Sequence, residues 1–130
     1  MKIEVSNGEI VDKLTILEIK KEKCKDTDKS ANIEKELNYL QDIVSTLNIS
    51  QDIINSLREV NKKLWEIEDE LRVFENRFVF DDDFISLARM VYYTNDKRFG
   101  IKSEINQITN SNFKEEKILP EYMNNFGDRQ

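Results

Sequence analysis

Arg98 occupies a position that an amphipathic helix normally gives to an apolar side chain. Leu87, Val91, Thr94, Arg98, Ile101, Ile105 and Ile108 recur at i, i+3, i+4, i+7 spacing and share one helical face. Its two polar members are consecutive and sit mid-stripe, with Asn95 and Lys102 beside them. Desolvating an unpaired guanidinium costs several kcal/mol, so Arg98 requires an anionic partner. Similar interruptions occur elsewhere: Glu18 on the main apolar face of the first helical stretch, and Asn61 and Glu68 beside Trp65 in the third. These positions are all near mid-helix, and an antiparallel bundle would bring them to similar heights. Read as a ligand site, Arg98 and Lys102 would take the carboxylate or phosphate of an anionic small molecule. Asn61, Thr94 and Asn95 would orient its polar groups. Glu18 or Glu68 would act as acid or base, and Trp65 with Tyr92 or Tyr93 would form a stacking wall. Read as structure, Arg98 pairs with Glu18 or Glu68 and the network sets helix register at little net gain in stability.

Composition removes many other chemistries. The chain contains no histidine and one cysteine. Ser-His-Asp and Cys-His catalysis, HExxH zinc sites and ExxH di-iron bundles are thereby excluded. Cys24 lies on the apolar side of its helix and is expected in the core. No intrachain disulfide is possible, which fits a reducing, cytoplasmic setting. Glu66, Glu68, Asp69, Glu70 and Glu75, with Asp81 to Asp83, raise the question of Mg²⁺. Glu66, Asp69 and Glu70 oppose the Leu64 seam, however, and read as a solvated face, so neither metal nor cofactor is expected. A formal net charge of −6 argues against nucleic acid as a partner. No apolar run approaches the ~18 residues of a membrane span, and the N-terminus has no signal-peptide core.

The elements that must position these residues are helices. Three glycines and one proline in 130 residues leave little to interrupt them. Ser6-Asn-Gly-Glu9 reads as a capping box opening a helix to about Lys25. That helix is apolar on two sides: Ile10, Val11, Leu14, Leu17 and Cys24 on one, Ile16 and Ile19 on the other, with Asp12 between the latter two. Such a helix is central or shared with a second chain. After Asp26–Ser30, a second helix to about Leu47 carries the seam Ile33, Leu37, Leu40, Val44, Leu47. Two long helices follow, at about 50–77 and 82–110, the second capped by Asp81 to Asp83. Short turns make the neighbours antiparallel. The expected fold is all-α: a single-domain (1–130) antiparallel four-helix bundle with two overlong helices. Its apolar C-terminal tail, 111–130, includes Phe113, Ile118, Leu119, Tyr122, Met123 and Phe126 and is expected to pack on its own or a partner subunit. The two-sided first helix and the overlong pair both suggest a homodimer.

The stretch Ser6–Lys20, SNGEIVDKLTILEIK, resembles the opening of an uncharacterised family of small bacterial all-helical proteins that begin G-E-[LI]-x-D-K-L-x-I-L-E-I-K. Val60-Asn-Lys-Lys-Leu-Trp-Glu-Ile-Glu-Asp69 and Tyr93-Thr-Asn-Asp-Lys-Arg98, with Lys102 and Ile105-Asn106, are similar to later parts of that family. The resemblance carries no assigned catalytic residues. It implies genes neighbouring surface-polysaccharide glycosyltransferases, an associative hint only. The expected function is a non-enzymatic binding or assembly module, an accessory to surface-polysaccharide biosynthesis with a glycosyltransferase-type protein partner. The alternative is a small helical enzyme or binder for a sugar phosphate, nucleotide or carboxylate, acting through Arg98/Lys102 and Glu18/Glu68.

Overall fold

Each helix begins at a side-chain cap that satisfies an otherwise orphaned N–H. In the computed structural model, which describes residues 1–122, these are α1 (Asn7–Lys23), α2 (Thr27–Ser45), α3 (Gln51–Arg77) and α4 (Asp82–Ile108). Ser6 accepts from the Glu9 N–H at 3.2 Å, Asp26 from Lys29 at 3.0 Å, Ser50 from Ile53 at 3.4 Å and Asp81 from Phe84 at 3.1 Å. Left-handed residues follow three of the helices: Asn48, Phe78 and Asn110. Asparagine tolerates that conformation, whereas a bulky side chain there is an outlier. Phe78, with φ 57° and 75% of its surface exposed, is such an outlier at the α3–α4 turn.

The fold is the expected all-helical one, with α1 at its centre. α1 packs against all three other helices, and α2 packs chiefly on α1. This accounts for its two apolar sides within one chain. Val11, Leu14 and Leu17 join Leu37, Leu40 and Val44 of α2, Ile54 and Leu57 of α3 and Ile105 of α4 in one core, and Ile19 is also buried. Cys24 departs from expectation: it forms the C-cap of α1, half-buried, with its thiol donating to the Asp26 carbonyl at 3.5 Å.

α3 and α4 have 27 residues each against 17 for α1, so the pair is about 40 Å long and outruns it. Lys23, the last residue of α1, lies over the Trp65 ring. Beyond that point no residue from 68 to 92 is buried. Among the described residues this end of the hairpin is an arm of two helices without a third.

The tail folds back along α4. Ser111 Oγ accepts from the Asn7 N–H at 2.9 Å, Glu115 reaches Lys102, Lys117 lies over the Phe99 ring, and Tyr122 meets Tyr92 and Tyr93. Polar contacts rather than apolar burial hold most of it. Phe113, Ile118 and Leu119 are exposed, and Met123 and Phe126 lie outside the described residues.

Candidate functional site

α1 approaches α4 closely at its first turn because Gly8 has no side chain. A Cβ there would lie 2.5 Å from the Lys102 carbonyl oxygen. The Gly8 N–H donates to Asn106 Oδ1 at 2.6 Å, and the Asn7 amide donates to Thr109 Oγ1 at 2.9 Å. These contacts set the height of α1 on α4. One turn further along α1, Asp12 comes opposite Arg98.

Arg98 grips Asp12 in a two-point fork: Nε donates to Oδ1 at 2.9 Å and Nη2 to Oδ2 at 2.5 Å. Asn61 of α3 donates to the same Asp12 Oδ1 and to Thr15 Oγ1, each at 2.9 Å, and the Thr15 hydroxyl donates to the Asp12 carbonyl at 2.8 Å. Asp12, Thr15, Asn61 and Arg98 thus tie α1, α3 and α4 together at one level. Asp12 is 1% exposed, while the Arg98 side chain keeps 29%. Burial pushes the Asp12 carboxyl up, but the Arg98 and Asn61 hydrogen bonds and the charges of Arg98 and Lys102 outweigh it and hold the group below the ordinary carboxylate value. The hydrogen bond to Asp12 likewise holds the Arg98 guanidinium protonated.

One turn along α4, the buried Lys102 Nζ lies 2.8 Å from Glu9 Oε2 and 3.1 Å from Glu115 Oε2. Burial favours the neutral amine, but the bonds to Glu9 and Glu115 outweigh it and raise the ammonium above its usual value. Glu9, Asn95, Arg98, Phe99, Lys102, Glu115 and Lys117 line a polar cleft of about 260 Å³ over this layer.

The structure therefore brings together Asn61, Arg98 and Lys102 from the expected cluster, with Asn95 beside them in the cleft. It does not bring Glu18, Glu68 or Trp65 there. Glu18 pairs with Arg58 at 2.6 Å and lines a separate cleft between α1, α2 and α3. Glu68 is exposed on the arm, and Trp65 sits under Lys23. The buried Thr94 faces α3, lining a groove with Val60, Ile67, Leu87 and Met90. Tyr92 and Tyr93 stack with Tyr122 beside Arg89, in a cleft of their own. The partner of Arg98 is Asp12, not Glu18 or Glu68. Its signal was present in the sequence: an acid lodged between Ile16 and Ile19 on the second apolar face of α1. Glu115 gave no such signal, since its placement depends on the tail's return path. Among the described residues no group of three acidic or cysteine side chains could hold a metal ion.

The chain matches the model of a family of unknown function, DUF6165, over residues 1–124. It belongs to that family. No curated protein and no solved structure matches it. The geometry gives the family-like opening stretch a physical content. Gly8 permits the close approach, Glu9 neutralises Lys102, Asp12 neutralises Arg98, Lys13 pairs with Glu36 of α2 at 2.7 Å and Glu18 with Arg58 of α3. The charged residues of that stretch are thus shared among the neighbours of the central helix, Glu9 and Asp12 on α4, Lys13 on α2 and Glu18 on α3.

Proposed function

We propose that the chain is a non-enzymatic binding and assembly module whose internal polar layer is a structural lock. The observation that supports this reading is charge neutralisation inside the layer. Asp12 is saturated by Arg98 and Asn61, and Lys102 is held by two carboxylates. A general acid or base must have a proton to give or take at working pH, and these pairs move their groups away from neutrality in both directions. The exposed apolar arm supplies what an assembly module needs, a surface left for another molecule. The proposed setting is the cytoplasm, in keeping with the single cysteine; no described helix is long and apolar enough to cross a membrane. The proposed process is surface-polysaccharide synthesis, on the strength of the gene neighbourhood implied by the family likeness. A glycosyltransferase-type protein is the partner in view, and a homodimer is the competing assembly.

One observation favours a second reading. Lys117 and Asn95 join Arg98 at the rim of the 260 Å³ cleft, a cationic and amide lining that suits an anionic metabolite. A thermal-shift screen with sugar phosphates, nucleotides and dicarboxylates separates the two. A ligand at a hundred times its Kd adds about 2.7 kcal/mol, a shift of several degrees. The lock reading expects none. A shift that disappears in Lys117→Met, whose half-exposed side chain touches the lock only through Glu115 at 3.8 Å, would replace it with the anion-site reading.

A further inference from the structure

The slot that α1 fills does not end where α1 ends. On α4, Val91, Asn95, Arg98 and Lys102 follow one another at helical spacing, and Arg98 and Lys102 face α1. On α3, Asn61, Glu68, Arg72 and Glu75 lie along the face that meets α1 through Asn61. Past Lys23 these faces continue onto the arm as an open, mostly apolar groove of about 390 Å³ between Leu71, Phe84, Ala88 and Val91, with Glu68, Arg72 and Glu75 on its lips. The stretch of α3 that α1 does not reach among the described residues, 68 to 77, is about 15 Å long, room for some three turns of helix.

Net charge favours a basic occupant. From Glu66 to Arg89 the arm carries eight acidic side chains against three basic ones, and of these Glu68, Glu75 and Arg72 edge the groove itself. α1 itself becomes basic as it approaches this region, with Lys20, Lys21 and Lys23 in its last turn and Lys23 over Trp65. A second copy would set one acidic arm against another, and nucleic acid or an anionic membrane would be repelled in the same way. We propose that the arm is a docking slot for a helix of a different protein, amphipathic, with lysines and arginines flanking its apolar stripe. That helix would continue the line of α1 and complete a three-helix layer over α3 and α4. Phe78, exposed in a left-handed conformation at the tip, and Phe80, against which its ring packs edge-on, would cap the far end of the slot. This inference deepens the assembly-module reading and rests on it.

The test uses the full chain and two synthetic, fluorescein-labelled peptides of fifteen residues. Both carry leucines at i, i+3, i+7, i+10 and i+14; one has lysines and the other glutamates on the flanks. Fluorescence anisotropy at low salt should show the lysine peptide binding at least about tenfold more tightly than the glutamate peptide. Glu68→Lys with Glu75→Lys, both at exposed positions, should remove most of that preference, as should Ala88→Arg, with circular dichroism checking that each variant is folded. Equal binding of the two peptides, or a preference that survives the lysine substitutions, overturns the proposal. Sedimentation showing a dimer that Ala88→Arg converts to monomer also overturns it, in favour of a second copy. These outcomes are independent of the metabolite screen: the slot can fail while the lock stands, and a metabolite at Lys117 would remove the lock reading without touching peptide binding.

Discussion

Removing either end of the Asp12–Arg98 pair should destabilise the fold, but unequally. Breaking a buried ion pair from one side costs about 3–5 kcal/mol, because the remaining charge stays buried without compensation. Here the two ends differ. Asp12 is 1% exposed and would keep only the Asn61 bond, whereas the Arg98 side chain is 29% exposed and can turn toward water. Arg98→Met should therefore lie at the full 3–5 kcal/mol, and Asp12→Asn should cost less, about 1–3 kcal/mol. The double variant should cost less than the sum, with a coupling of about 1–3 kcal/mol. pH sharpens the test. In the native protein the Asp12 carboxyl is held below its ordinary value, so its contribution is present above pH ~4 and is lost as pH falls through the lowered folded value. Without Arg98 burial still pushes that carboxyl up and is opposed only by the Asn61 bond and the Lys102 charge, so the carboxyl should lie higher than in the native protein. The folded variant then binds a proton more readily than the native fold, so its penalty should shrink as pH is lowered from 7.5. Urea denaturation followed by circular dichroism at that pH and below it measures all of this. Equal single penalties, strict additivity, or an Arg98→Met penalty that grows on acidification would refute the lock.

Gly8→Ala should cost about 1–3 kcal/mol despite the better helix propensity of alanine, because its Cβ would press on the Lys102 carbonyl at 2.5 Å; thermal melts give the difference. Glu18→Gln combined with Arg98→Met should be additive to within about 0.5 kcal/mol, since Glu18 belongs to Arg58 and shares no partner with Arg98; a clear coupling in the denaturation cycle would contradict the geometry. Lys102→Met should lower stability at neutral pH. Because the Lys102 ammonium is raised above its usual value by Glu9 and Glu115, its contribution is complete below pH ~10 and is lost as pH climbs through the folded value, so the variant and native protein should converge in alkaline melts. Phe78→Gly should leave the melting temperature unchanged or raise it, relieving about 1–2 kcal/mol of left-handed strain while removing a ring that buries little.

The helices were legible because their signals are local. Ser6, Asp26, Ser50 and Asp81 mark the starts, and the described ends of α3 and α4 fall within two residues of those read from periodicity. The misplaced Arg98 was legible for the same reason: one helical period exposes a charge on an apolar stripe. That α1 is apolar on two sides was also legible, though not that three helices of the same chain surround it. The pairing itself was not. Glu18 and Asp12 are both acids within apolar stretches of one helix, and which of them meets Arg98 depends on how far α1 slides and turns on α4. That is decided by the Gly8 approach to Lys102 and Asn106, a contact between residues almost a hundred positions apart. Glu115 joins Lys102 only because the tail doubles back, which no periodicity predicts.

Sequence by itself determined the four helices, their caps, the absence of histidine chemistry and the need of Arg98 for an anion, since each follows from residue type and spacing along one chain segment. Tertiary structure alone decided that the anion is Asp12, that Glu18 serves Arg58, and that α3 and α4 run on past α1 as an arm. Those outcomes depend on relative helix height and rotation, set by close packing between segments distant in the chain.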